Sequence, residues 1–295
     1  MIISVSRRTD IPAFYARWFI NRVRAGYCAV ANPFNAKQIA RVSLLPEDVD
    51  LFVFWTRQPR PMMQCLDELD QRGYRYYFQV TLLDNPRALD PQTPALAQAI
   101  RNFQDLAARI GSAKTIWRYD PIVFTTTTDA RWHIETFTRI ARALRGYTNR
   151  VVISIADEYA ASRRRLEALR ASGLEPLGAE FYRREEFAEC LCALARAANE
   201  NGMTIQSCAE EMDLQSYGIA PGKCVDADYI HETFGIEVTR VKDPSQRAAC
   251  GCVISKDIGA YDTCLFECQY CYATTSFARA HNRHQRHDPD APSLI

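Results

Sequence analysis

Short β-branched or aromatic runs alternate with helical stretches through the first two thirds of the chain, and this rhythm limits the fold more than any other feature. Ile2–Ser6, Leu51–Thr56, Tyr76–Leu83, Thr115–Tyr119, Val151–Ala156 and Met203–Ser207 read as strands. Helical patterns over Ala13–Ala25, Pro61–Arg72, Pro94–Ile110, Ala130–Leu144 and Arg183–Asn201 lie between them, and Ala29–Asn32 is a short strand or an extended loop. Strands separated by helices of this length imply a mainly parallel sheet with crossover helices. Six or seven such units predict an α/β fold built as a (β/α) TIM-like barrel, complete or partial. An open doubly wound sheet is the alternative. Neither GxGxxG nor GxxxxGK[ST] follows any strand, which removes the usual nucleotide-fold readings.

The strand ends are polar. They carry Ser6-Arg7-Arg8-Thr9-Asp10, Asn32-Pro33-Phe34-Asn35, Trp55-Thr56-Arg57, Gln79 with Thr81, Arg118-Tyr119-Asp120, Asp157-Glu158, and Gln206 with Glu210-Glu211. In parallel α/β folds the C-terminal strand ends form the active face, so this set predicts a cavity for a polar or anionic small molecule. Arg118, Asp120, Asp157 and Arg57 are the candidates for contacts there. The balance of 36 basic against 35 acidic residues argues against broad polyanion or nucleic-acid binding by charge. No apolar run is long enough for a membrane helix, and the first residues do not read as a signal peptide. A cytoplasmic protein is expected.

Seven of the 11 cysteines follow residue 205. In a large chain with no export signal, this clustering points to metal rather than to a disulfide framework. Cys28, Cys65, Cys190 and Cys192 read as packing thiols. Residues 1–207 are therefore read as the barrel core and 208–295 as a cysteine-rich iron–sulfur segment that completes it. Cys264-Leu265-Phe266-Glu267-Cys268-Gln269-Tyr270-Cys271 has the spacing CxxxCxxC. Three thiolates in one tight loop suit three corners of a 4Fe-4S cluster and leave the fourth iron without a protein thiolate. Structural zinc sites close to four ligands instead.

Cys208, Cys224, Cys250 and Cys252 remain, enough for a second cluster or a structural zinc. Gly251 permits tight curvature, and Cys224 reads as opening a helix, where a thiolate is favoured. His281, His284 and His287 read as part of a solvated basic tail, and His133 and His231 as surface or capping residues.

With Tyr270 at the aromatic position, the triplet resembles the CxxxCx(aromatic)C motif of the radical S-adenosylmethionine superfamily. The whole chain resembles a bacterial family of uncharacterised proteins, domain of unknown function 1848, which carries this C-terminal cluster. The carrying segments are Ser4–Pro12, Asn32–Asn35, Val53–Thr56, Trp117–Ile122 and Ser255–Gly259. The superfamily places its motif near the first barrel strand, whereas here it is C-terminal. A circularly permuted radical SAM barrel reconciles the two, because the last strand of a closed barrel lies beside the first. Val253–Ile258 would then feed the cluster loop beside Ile2–Ser6, with Thr274–Arg286 the following helix. On that reading Arg7 or Arg8 pairs with the carboxylate of S-adenosyl-L-methionine and Asp10 with its ammonium, and Tyr270 belongs to the same cofactor site. The superfamily's Gly-Gly-Glu pattern is absent there.

The resemblance implies an enzyme that generates a 5′-deoxyadenosyl radical on a small-molecule or nucleotide-like substrate, fed by an electron donor such as a ferredoxin or flavodoxin. An iron–sulfur electron-transfer or sensor protein without SAM cleavage is one alternative. A zinc-stapled barrel with a hydrolytic or binding role is the other.

Overall fold

The computed structural model describes residues 1–295 apart from Phe34 and Glu158, so the sequence readings at those two positions lie outside the described residues. The chain opens with β1 (Ile2–Val5), α1 (Ile11–Phe14) and α2 (Ala16–Ala25), followed by β2 (Tyr27–Asn32) and β3 (Asn35–Ser43). Next come β4 (Leu51–Thr56), α3 (Arg60–Met63), α4 (Leu66–Gln71), β5 (Tyr76–Thr81), α5 (Leu96–Ile110), β6 (Thr115–Ile122) and α6 (Ala130–Ala143). The rest is β7 (Arg150–Ile155), α7 (Ala160–Leu169), α8 (Glu185–Glu200), β8 (Thr204–Cys208), β9 (Ala220–Gly222), α9 (Ala227–Phe234), β10 (Lys256–Asp257) and α10 (Phe277–Gln285).

Eight strands form one sheet in the order β10-β1-β4-β5-β6-β7-β8-β9. Every neighbouring pair is parallel. The expected α/β class with a large parallel sheet is present. So is the predicted neighbour of β1: Ile3 pairs with Lys256 and Ser4 with Asp257. The cysteine-rich segment thus supplies two strands, β9 and β10, one at each end of the sheet order. Among the described residues no helix is long and apolar enough to cross a membrane.

Alternation along the strands separates two faces. Ile3, Val5, Phe52, Phe54, Tyr76, Phe78, Val80, Trp117, Tyr119, Val151 and Ile153 belong to the larger core, shared with Trp18, Phe19, Phe103, Phe137 and Leu191 of the helices. This face is predominantly apolar along the strands, with Thr56, Thr115 and Ser207 as its buried polar members. The opposite face is apolar only toward the strand starts, where Ile2, Leu51, Val53, Tyr77, Ile116 and Val152 pack against Tyr229 and Ile230 of α9. Toward the strand ends the same face carries Ser4, Trp55, Gln79, Arg118, Ser154, Gln206 and Cys208. The period of two therefore aims the polar strand ends at one place.

Several expected elements differ in detail. The helix expected over 13–25 breaks at Tyr15, whose backbone leaves the helical region so that its hydroxyl donates to Thr263 O at 2.8 Å. The helix expected over 61–72 is two short ones, α3 and α4. Of the two readings of Ala29–Asn32, the strand is present as part of β2; its hairpin partner β3 and the helix α7 were not expected. The Lys37–Arg41 stretch of β3 is exposed throughout, and α7 buries only Ser162 and Leu166, so neither leaves a periodic apolar pattern. His133 is not a surface residue. It is fully buried, with Nδ1 2.8 Å from Tyr119 OH, and burial pushes it down to about 4. The C-terminal helix is docked rather than a wholly solvated tail: His284 and His287 pack edge-on against Tyr15, with ring centroids 5.3 and 4.8 Å away.

Candidate functional site

At the strand ends the polar groups interlock. Trp55 lies between two guanidinium groups, Arg7 at 5.0 Å and Arg118 at 5.1 Å from its ring centroid, and its Nε1 donates to Ser4 Oγ at 3.1 Å. Asp257, the last residue of β10, organises the β1 end. It accepts from Ser6 Oγ (2.6 Å), Arg7 N (2.7 Å), Gly259 N (2.9 Å), Ser4 Oγ (3.0 Å) and Arg8 Nε (3.1 Å). Gly259 is needed for this approach, because a Cβ there would stand 2.1 Å from Ser6 Oγ.

Arg118 is buried and pairs with Asp120, which also accepts from Ser154 Oγ. Burial opposes its charge, and Asp120 with the thiols of Cys224 and Cys208 outweighs that penalty. Asp157 stands at the rim, paired with Arg247. Glu210, which the sequence reading noted only as a strand-end residue, accepts from Ile155 N at 2.8 Å, and burial pushes its carboxyl up to about 7.

The Arg7–Asp10 segment is divided between two thiol groups, contrary to the expectation that it faces one cofactor. Arg7 faces Cys252, Cys224 and Asp257. Its Nη1 donates to Ser255 Oγ at 3.2 Å, and its buried Nη2 has no partner among the described residues. Arg7 and Arg8 also line a cavity of about 930 Å³ with Lys37, Lys256 and Tyr272. Asp10 instead lies against Cys264. Its carboxylate caps α1 through Ala13 N (2.9 Å) and accepts from Arg57 N (2.7 Å), so it serves the backbone first. Burial pushes it up to about 7.

The Cys264/Cys268/Cys271 loop follows β10 and lies beyond the strand ends. Cys268, Phe266 and Tyr270 pack with Leu89, Val123, Leu166 and Leu174, side chains of the segments that follow β5, β6 and β7. The three sulfurs are near enough to act on one another electrostatically, and burial pushes Cys264 up to about 12 and holds Cys268 well above the usual thiol range. Glu267 adopts the left-handed region (φ 57°) between two of the cysteines, which tightens the turn, and His281 Nε2 lies 2.7 Å from its Oε1. Arg165, which the sequence reading did not single out, donates to Gln269 O (2.9 Å), Thr274 O (2.8 Å) and Cys271 O (2.5 Å). Tyr270 is buried, with its hydroxyl 2.8 and 2.9 Å from the two oxygens of Asp90 and bonded to Arg57 Nη2. Its hydroxyl is therefore occupied by the protein. Arg57 is a buried cation that faces this loop: burial opposes its charge, while Asp90 and Cys268 restore it.

The other four cysteines also meet. Cys208 ends β8, Cys224 follows β9, and Cys250 and Cys252 precede β10. Cys208 Sγ and Cys224 Sγ are 2.8 Å apart, and Cys224 and Cys250 are both within hydrogen-bonding reach of Cys252. Arg118 Nη1 donates to Cys224 Sγ (2.8 Å) and Val225 N to Cys252 Sγ (3.3 Å). The bonds from Cys224 and Cys250 favour the thiolate at Cys252. Cys224 does not open a helix as expected, since Asp226 is the N-cap of α9. Among the described residues no three His, Cys, Asp or Glu side chains already surround a metal position. Cys208 and Cys224 touch, and a tetrahedral ion with Zn–S near 2.3 Å needs sulfurs about 3.8 Å apart. Loading therefore requires the 2.8 Å pair to spread by a rotamer adjustment.

No curated protein matches the chain. The family model described as Domain of unknown function (DUF1848) matches residues 2–273. The match runs from β1 through the whole CxxxCxxC loop, and on that extent the chain belongs to the DUF1848 family.

Proposed function

We propose that the protein is an iron–sulfur enzyme of radical SAM type on a closed, circularly permuted (β/α) barrel, acting on a polar or anionic small molecule. The observation that carries this reading is a three-thiol loop at the C-terminal ends of a parallel sheet, following the strand that pairs with β1. The donor set fits a 4Fe-4S cluster: three soft thiols lie in one tight turn, and Arg57 provides a buried cation against the negative charge of the cluster. Cys264, Cys268 and Cys271 would hold it, and a cluster with one open iron supplies, together with S-adenosyl-L-methionine, reductive cleavage that starts radical chemistry.

The chain's own residues have separable tasks. Leu89, Val123, Leu166, Leu174 and Phe266 keep water from the cluster loop. Arg57 and Asp90 hold Tyr270 against the loop wall. Arg118 and Asp120 give the mouth a paired cation and carboxylate for a polar substrate, and the Arg7–Arg8–Lys37–Lys256 cavity favours an anionic one. Glu210 can hold or release a proton near neutral pH.

Anaerobic reconstitution followed by iron and sulfide analysis tests this reading. It predicts about four irons and about four sulfides per chain that are lost together in the Cys264→Ser and Cys268→Ser variants. Zinc without sulfide in the wild-type chain, unchanged by either variant, would overturn it.

A further inference from the structure

We propose that Cys208, Cys224, Cys250 and Cys252 form a separate site for one tetrahedral zinc ion that pins the two end strands of the sheet together. The four ligands come from three segments: the end of β8, the residue two beyond β9, and the approach to β10. In the sheet order β9 and β10 stand at opposite ends. The segments continuing them meet where Val253 N donates to Val225 O at 3.0 Å, within the layer that also contains Cys224, Cys250 and Cys252. An ion there would link both ends of the sheet order at one point.

Geometry selects a single ion over a second cubane cluster. Cys208 and Cys224 Sγ are in contact, closer than the tetrahedral spacing, and Cys224 and Cys250 both act on Cys252, so a small outward movement of the contacting pair admits one ion. A cubane would need the same thiols forced much farther apart, against Tyr77, Val225 and Ile230, all buried. Two glycines bring the segments this close. A Cβ on Gly222 would meet the Gln206 side chain of β8 at 2.4 Å, and one on Gly251 would stand 3.1 Å from Lys223 Cγ. The surroundings also suit four thiolates. N–H groups of Arg118 and Val225 already donate to two of the sulfurs, and Arg7 lies beside Cys252 and Cys224, its Nη2 unpartnered among the described residues. Such outer donors orient and stabilise metal thiolates. Tyr77 OH and Gln79 Nε2 fix the backbone at Cys224 by donating to its carbonyl at 2.7 and 2.8 Å. On loading, the ion displaces the remaining thiol protons, so uptake releases acid.

The test uses the full chain with Cys264, Cys268 and Cys271 all changed to Ser, so that any bound metal reports on this group alone. The expected result is about one zinc per chain without sulfide, and intense sulfur-to-metal charge-transfer absorption when cobalt(II) replaces the zinc. Adding Cys252→Ser should abolish both signals. Should that variant fail to fold, chelation of the triple variant must instead lower its melting temperature, and stoichiometric zinc must restore it. Four freely titrating thiols in a folded triple variant that takes up neither ion would overturn the assignment, as would iron with sulfide at this site.

Discussion

The two thiol groups belong to one sheet yet are assembled in opposite ways. Cys264 to Cys271 spans eight residues of a single loop, whereas Cys208 to Cys252 spans 45 and draws on three segments that only the sheet order brings together. The loop group is walled by apolar side chains and faces the guanidinium groups of Arg57 and Arg165. The dispersed group is embedded among strand residues and faces Arg7 and Arg118, with Arg247 beside Cys208. A group contained in one loop can open and close with little effect on the sheet. A group gathered from β8, β9 and the approach to β10 can form only when those strands are in place, so its occupancy and the stability of the fold are coupled.

That contrast can be broken at Asp257, which lies in sequence between the two groups and fixes the β1 end to β10. Asp257→Ala leaves Arg8 without its buried partner, both side chains being 14% exposed, and strands the donors Ser4, Ser6 and Gly259. The expected loss is about 3–5 kcal/mol in urea unfolding, with the metal content of both groups falling together. An unchanged midpoint would mean that the β10–β1 junction does not support either site.

Tyr270→Phe sharpens the contrast on a smaller scale. It removes a hydroxyl bonded to Asp90 and Arg57 while keeping the ring in the loop wall. The expected cost is about 1–2 kcal/mol, and iron retention should fall while zinc in the dispersed group stays constant. Equal losses of both metals would contradict the separation.

The sequence pattern made part of this legible and left part hidden, for definite reasons. Leu51–Thr56 is a continuous apolar run because it is buried on one face and nearly so on the other, and the observed β4 has those limits. The CxxxCxxC loop is local, so its spacing alone carries its meaning. The pairing of β10 with β1 was expected from the barrel reading of the sequence and is present in the sheet. The partition of Arg7 from Asp10 was not, because successive residues leaving a strand turn to different faces and no pattern records which neighbour each meets. The roles of Asp90 and Arg165 were likewise hidden: both act from segments without periodicity on partners more than 100 positions away in the chain. The convergence of Cys208, Cys224, Cys250 and Cys252 was suggested by their number, but their contact depends on β9 and β10, strands of three and two residues that carry almost no propensity signal.

The central claim is that the loop group presents an open iron to S-adenosyl-L-methionine. Electron paramagnetic resonance of the dithionite-reduced, anaerobically reconstituted chain, recorded with and without S-adenosyl-L-methionine, tests it most directly. A cofactor-dependent change in the cluster signal, with the signal absent in the Cys268→Ser variant, is the predicted result. A cluster spectrum identical in the presence and absence of saturating cofactor would contradict it.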